Sequence, residues 1–279
     1  MADEEVGADE EVGADADGGR AGAAAGGTWV VDLDGVVWLA ERAIDGSAEA
    51  VDRLRAEGIR VVFATNNSAP TLDELVARLA RVGITAEPGD LVTSAQAAAS
   101  MLEPGSTALV CGEAGMLEAL GARGVSVVAE GPAEAVVVGW TRRFDFDMLA
   151  GAATAVRMGA RFIGTNEDPT HPTPERLLPG SGAFIAAVAT AAQAVPEIAG
   201  KPHEPIVNLL RARAPDARLV VGDRPATDGL LARRLGVPYA LVLSGVIAPG
   251  HGALDVEPDD EAADLAALVD RRLGHRRDG

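Results

Sequence analysis

Thr28-Trp29-Val30-Val31-Asp32-Leu33-Asp34-Gly35-Val36-Val37-Trp38 is an apolar run that ends in two carboxylates one residue apart, followed at once by glycine. Side chains alternate faces along a strand. Asp32 and Asp34 therefore point the same way if the strand continues, and a turn at Gly35 leaves both at its carboxyl end. Two like charges held that close repel unless a positive charge sits between them. A hard divalent cation such as Mg2+, which prefers oxygen ligands, meets that need. A buried strand running into a turn rich in Asp and Gly would look the same, so the weight rests on three further segments.

Val61-Val62-Phe63-Ala64-Thr65-Asn66-Asn67-Ser68 is a second apolar strand, ending in small hydrogen-bonding residues, and Thr71-Leu72-Asp73-Glu74 behind it has the spacing of a capping box. A hydroxyl, two amides and a nearby helix start can hold an anion without adding a nucleophile. Gly200-Lys201-Pro202 then places a cation at a turn or the start of a helix. Lys201 is the only lysine, and every other basic residue in the total of 24 is arginine. A lone lysine in such a chain suggests a site that wants a compact point charge and not a planar fork. Arg218-Leu219-Val220-Val221-Gly222-Asp223-Arg224-Pro225-Ala226-Thr227-Asp228 repeats the logic of the first run, with carboxylates at the strand exit and five residues on. Asp223 can join Asp32 around a cation. Asp228 starts the next helix, where a carboxylate also offsets the helix dipole.

The ordered set Asp-x-Asp-Gly-Val, Thr-Asn-Asn, Gly-Lys-Pro and Gly-Asp-Arg-x-x-x-Asp resembles the four motifs of the haloacid dehalogenase superfamily of phosphohydrolases. More narrowly, Thr165-Asn166-Glu167-Asp168 followed by Pro179-Gly180-Ser181-Gly182-Ala183 resembles the NagD-like branch with a type II cap, which includes phosphoglycolate and pyridoxal phosphate phosphatases. The likeness runs from about Thr28 to about Gly245 with order and spacing intact; any one motif is weak, four in order are specific. One departure is Ala226, where many relatives carry a polar or charged residue.

The resemblance implies hydrolysis of phosphate monoesters with Mg2+. A phosphate dianion approaching carboxylates is repelled until Mg2+ and Lys201 compensate. Asp32 can then attack and form an aspartyl-phosphate, with Asp34 as general acid and base. By the same resemblance Thr65, Asn66, Asn67 and Lys201 hold the phosphoryl oxygens. Asp32, the backbone carbonyl of Asp34, and Asp223 bind the metal, and Asp228 orients Lys201 or a water on the metal.

At 279 residues the chain fits two domains. The expected fold is α/β: a doubly wound, parallel-sheet, Rossmann-like core with an inserted smaller α/β cap. Core strands are expected near 28–33, 59–64, 218–222 and 239–243, and cap strands at 107–111, 125–128, 135–138 and 161–164. The expected divisions are an acidic disordered tail over 1–27, a catalytic core from 28–93 and 197–279, and a cap over 94–196. The core recognises only a phosphoryl group, so the cap reads the leaving group. Its candidates are Asn166 and Asp168, then His171 and the Arg142-Arg143 pair. The substrate is expected to be a small phosphorylated metabolite.

A formal charge of -18 argues against a general nucleic-acid or anionic-membrane surface. No apolar run reaches the length of a membrane span, and the N-terminus is acidic where a secretory signal would be basic and then greasy. Cys111 has no partner in the chain. These features predict a cytoplasmic protein and leave homo-oligomer formation open. Two rival classes fit less well. A phosphoacceptor switch does not need the insertion or Asp34, and a dinucleotide-binding enzyme needs a glycine fingerprint where this chain has Asp-Leu-Asp-Gly. Phosphoryl transfer to an acceptor other than water, as in a mutase, is the nearest alternative.

Overall fold

The strand Thr28–Val31 (β1) is buried along its whole length, as a strand covered on both faces must be. Its alternate side chains feed different cores: Val30 packs in a cluster with Val62, Val92 and Val220, whereas Trp29 and Val31 pack with Val61, Phe63 and Leu219. This computed structural model describes residues 26–40, 42–173 and 176–274. Most of the expected acidic tail, residues 1–25, lies outside them.

After β1 come the hairpin β2 (Trp38–Leu39) and β3 (Arg42–Ala43), then α1 (Ser47–Ala56), β4 (Arg60–Thr65), α2 (Leu72–Arg81), β5 (Leu91–Thr93) and α3 (Ser94–Ser100). The middle of the chain forms β6 (Thr107–Cys111), α4 (Ala114–Arg123), β7 (Ser126–Val128), β8 (Ala135–Val138), α5 (Phe146–Arg157) and β9 (Arg161–Gly164). There follow the hairpin β10 (Thr170–Pro172) and β11 (Leu177–Pro179), α6 (Ser181–Ala192) and β12 (Glu197–Ile198). The chain then returns through α7 (Glu204–Arg213), β13 (Ala217–Gly222), a π turn over Pro225–Gly229, α8 (Leu230–Leu235), β14 (Tyr239–Val242), β15 (Asp260–Ala262) and α9 (Leu265–Leu273).

The fold is α/β. One parallel sheet has the order β15-β14-β13-β1-β4-β5. The chain winds one way from β1 through β4 to β5 and the other way from β13 to β15, so the direction reverses between β1 and β13. Ligands bind at such a reversal, beyond the carboxyl ends of the strands. Helices α1, α2 and α9 cover one face through residues such as Leu54, Leu79 and Leu268; α3, α7 and α8 cover the other. At α2 the expected capping box is present: Thr71 Oγ1 accepts from the Glu74 N–H, and the Glu74 carboxylate accepts from the Thr71 N–H.

A second parallel sheet has the order β12-β9-β8-β6-β7. Along β8, Val136 and Val138 join a core with α5 and α6, while Ala135 and Val137 belong to the apolar cluster that continues into the first sheet. Helix α3 sits in that shared cluster. The expected boundary at 94 therefore falls inside a continuous core, and β12, expected on the catalytic side, pairs with β9 of the second sheet. The first strand stops at Val31, two residues short of expectation, because the Leu33 carbonyl is turned back to accept from Val37 and Trp38. Among the described residues no helix is long and apolar enough to cross a membrane.

Candidate active site

Three strand exits meet at the reversal point. The Asp32 N–H still bonds the Val221 carbonyl at 2.9 Å, which fixes the end of β1 against β13 and sets Asp32 and Asp223 side by side. Carboxylate oxygens of Asp32, Asp223 and Asp228 all lie within 4.8 Å of one another. Lys201, in the turn before α7 and 4% exposed, places its Nζ 2.8 Å from Asp32 Oδ1 and 2.7 Å from Asp228 Oδ1. Burial alone would pull its ammonium down, but Asp228 and Asp32 together hold it above the ordinary lysine value. Burial, with Asp228, Asp223 and Asp34, pushes Asp32 well above the usual carboxylate range against the pull of Lys201. Burial and then Asp228 push Asp223 up to about 6, although Asp223 accepts the Val246 N–H.

Three carboxylates against one ammonium leave two negative charges, which a divalent cation would cancel. A second feature agrees. Among the described residues Asp223 Oδ1 is the one buried side-chain polar atom without a hydrogen-bond partner, a costly arrangement unless a ligand completes it. The space around Asp223 is kept by glycines. A Cβ at Gly245 would stand 2.0 Å from Asp223 Oδ2, and one at Gly35, whose φ is +85°, would stand 2.4 Å away. This all-oxygen donor set suits Mg2+.

Asp34 is half-buried, accepts from Trp38 Nε1 at 3.0 Å and lines the same cleft as Asp32. Thr65, at the end of β4, is buried and its hydroxyl accepts from the Asn67 N–H. The Asn66 amide and the Asn67 amide oxygen are committed elsewhere. Asn66 Oδ1 accepts the Lys201 N–H at 2.7 Å and its Nδ2 donates to the Lys201 carbonyl at 3.2 Å, so this residue clamps the lysine turn. Asn67 Oδ1 accepts from the Ala69 N–H and shapes its own loop. Asp228 accepts from both Lys201 and the Arg224 N–H.

On the side of the second sheet, the cleft is walled by Trp140, Asn166, Asp168, Thr170, His171, Gly180 and Ser181. Asn166 borders the cleft, but its amide is spent internally. Nδ2 donates to the Asn66 carbonyl at 2.7 Å and to Ser181 Oγ at 3.1 Å, while Oδ1 accepts the Asp168 N–H. These bonds make it a joint between the two halves at the edge of the cleft. Asp168 does face the cleft. His171 stacks against Trp140 with centroids 5.0 Å apart, and burial pulls its imidazole below the ordinary value. The Arg142-Arg143 pair is not part of the wall. Arg142 lies over the Trp140 ring at 5.7 Å, and Arg143, 78% exposed, pairs with Glu113. Trp140 and Arg224 were not among the sequence candidates, although Arg224 directly follows Asp223 and Trp140 follows a strand and a glycine.

Residues 29–126 match the haloacid dehalogenase-like hydrolase family and residues 198–268 match the HAD-hydrolase-like family. A D-glycerol 3-phosphate phosphatase of Mycobacterium tuberculosis is 38% identical over 78% of this chain; the match spans 63% of that protein, less than two thirds of its length. An acid sugar phosphatase of Staphylococcus haemolyticus is 34% identical over 78% of this chain and 85% of its own. A solved glycerol phosphate phosphatase from Mycobacterium tuberculosis in complex with magnesium superposes with a TM-score of 0.81 at 35% identity, covering 88% of this chain and 77% of that one. NagD from E. coli K-12 superposes with a TM-score of 0.78 at 30% identity, covering 86% and 96%.

Proposed function

The chain belongs to the haloacid dehalogenase-like hydrolases, beside the NagD-like phosphatases, and from that premise we propose that it hydrolyses small-molecule phosphate monoesters with Mg2+ through a phosphoaspartate at Asp32. The observation that carries the reading is the Asp32 carboxylate, held by Lys201 at 2.8 Å in the same cleft as Asp34 and beside the orphaned oxygen of Asp223.

Asp32, Asp223 and the backbone carbonyl of Asp34 would hold the metal, while Asp228 grips Lys201. Bound there, Mg2+ supplies charge neutralisation and Lewis acidity toward the phosphoryl oxygens. Lys201 offsets the charge of the incoming dianion from the other side, and the Thr65 hydroxyl with the backbone around Asn66 orients it. Asp32 attacks phosphorus, and the ester oxygen leaves with a proton from Asp34. Asp34 then takes a proton from the water that attacks phosphorus of the phosphoaspartate, which frees Asp32 and releases inorganic phosphate. The second sheet, β12-β9-β8-β6-β7, with its helices acts as a cap that reads the leaving group and excludes water during the first step. The relatives' names point to leaving groups of the glycerol and sugar kind.

The test is a panel of purified protein with Mg2+ against glycerol phosphate, sugar phosphates, phosphoglycolate, pyridoxal phosphate and nucleotides. Phosphate release that stops with a chelator is expected. No release from any ester would overturn the reading.

A further inference from the structure

The general acid assigned above has a neighbour that the mechanism does not use. Trp38 opens the hairpin at β2 and is 1% exposed, and its Nε1–H donates to Asp34 Oδ1 at 3.0 Å. The backbone between the two residues is closed on itself. The Gly35 N–H donates to the Trp38 carbonyl at 2.6 Å and the Trp38 N–H to the Leu33 carbonyl at 3.2 Å, which ties the indole and Asp34 into one turn. The Arg78 guanidinium, from α2, lies over the indole ring at 4.1 Å and also donates to the Ala40 carbonyl, so the ring is packed under that helix.

Any large apolar side chain could fill this part of the core, where Trp38 shares a cluster with Leu75 and Leu79. The N–H is what sets tryptophan apart, and a buried one needs an acceptor. It is spent here on a carboxylate that lines the cleft, whereas Trp140, in the cleft wall, spends its own on the Pro179 carbonyl. An indole nitrogen donates and never accepts. While the bond holds, Asp34 Oδ1 presents a lone pair to it, and a proton carried by Asp34 sits on Oδ2. One oxygen is the anchor and the other serves the substrate. The bond also fixes the terminal torsion of the carboxylate, which is broad in a free aspartate, and proton transfer depends on that aim.

We propose that Trp38 is a positioning residue for the acid step: its indole N–H holds Asp34 Oδ1 so that Oδ2 delivers the proton to the ester oxygen. In that step the bond from Asp32 to phosphorus forms, the bond from phosphorus to the ester oxygen breaks, and the Oδ2 proton moves to the departing oxygen. This rests on the phosphatase reading above. Trp38 does not itself line the cleft, so it acts through Asp34 and not on the substrate. Its loss is felt by esters whose leaving oxygen needs a proton. It is felt little by p-nitrophenyl phosphate, whose phenolate is stable without one.

The experiment measures kcat/KM on the full chain with Mg2+ for p-nitrophenyl phosphate and for the best alkyl ester of the panel above. This constant covers only the steps through departure of the leaving group, so the later attack of water does not enter. The proteins are the wild type, Trp38→Phe and Trp38→benzothienylalanine, in which sulfur replaces the N–H in a ring of almost the same size. The second variant keeps the core filled should the first fail to fold, and a ratio of two esters within one protein does not depend on its folded yield. Both variants should lower the alkyl-to-aryl ratio by about tenfold or more, the scale of one hydrogen bond to a charged group. Asp34→Asn should lower it further in the same direction. A ratio within about twofold of the wild type, including equal losses on both esters as a purely structural role would give, overturns the positioning role. A wild type that cleaves p-nitrophenyl phosphate and no alkyl ester overturns it too, while the phosphatase reading stands. If no ester of either kind is cleaved, the phosphatase reading falls and the positioning role with it.

Discussion

Replacing Lys201 by methionine keeps an unbranched stem but deletes the ammonium that stands 2.8 Å from Asp32 Oδ1 and 2.7 Å from Asp228 Oδ1. Lys201 is 4% exposed and Asp228 1% exposed, so water cannot take the place of the lost cation. Breaking a buried ion pair from one side costs about 3–5 kcal/mol. Here a single ammonium serves two carboxylates, which places the metal-free protein at the upper end. For a chain of this size each kcal/mol moves the melting temperature by about 2–4 °C, so a fall of about 10–20 °C in a chelator is expected. Asp228→Asn supplies the control. In the wild-type background it costs stability, because Lys201 loses a partner; in the Lys201→Met background it recovers stability, because one uncompensated charge is gone. Urea unfolding of the four proteins at neutral pH with a chelator closes this double-mutant cycle. A Lys201→Met loss under about 1 kcal/mol, or an Asp228→Asn effect equal in both backgrounds, would refute the counter-ion argument.

Three other outcomes follow from the same geometry. Gly245→Ala drives a Cβ to 2.0 Å from Asp223 Oδ2 and should weaken Mg2+ binding by about tenfold or more, as changes behind a metal ligand do; calorimetric titration giving wild-type affinity would count against Asp223 as a ligand. Asp223 is pushed up to about 6, so between the ordinary carboxylate value and about 6 the folded state holds a proton that the unfolded chain has lost. Metal-free stability should fall as pH rises through that window, and the Mg2+-induced rise in melting temperature should be smaller near about pH 5 than near about pH 7, an equal rise at both contradicting the competition. Burial pushes the Cys111 thiol up to about 12, so a thiol-specific reagent at mildly alkaline pH should react only as fast as the protein unfolds; rapid labelling of the native protein would show the site to be open.

The parts legible in the sequence are those carried by contiguous residues. Apolar runs located the strands, since Val-rich segments buried on both faces need no partner's identity to be recognised, and the carboxylates at their ends marked the cleft. The spacing Thr71-x-x-Glu74 was enough for the cap of α2. What could not be read depends on which atoms meet across the fold. The Asn166 amide is consumed by the Asn66 carbonyl, 100 residues away in the chain, so its residue type suggested a ligand where the fold makes a joint. Arg142 lies over Trp140 and Arg143 pairs with Glu113, and nothing in a pair of adjacent arginines encodes those partners. The expected boundary at 94 sits at the start of α3, which is alanine-rich and packs against both α4 and α7, so the apolar clusters of the two sheets merge there. Arg224 was in plain view beside Asp223; its partner Asp168, 56 residues away, gives it meaning only in the folded chain.

The central claim is that Asp32 attacks phosphorus, and the direct measurement is acid quench of the Mg2+-loaded protein during turnover of a glycerol phosphate labelled with radioactive phosphorus. The account predicts a covalent label that is released by hydroxylamine, as an acyl phosphate is, and that maps to the peptide carrying Asp32. Asp32→Asn should fold, carry no label and release no phosphate. Steady hydrolysis by the wild type with no label on that peptide, or hydrolysis that survives in Asp32→Asn, would contradict the account.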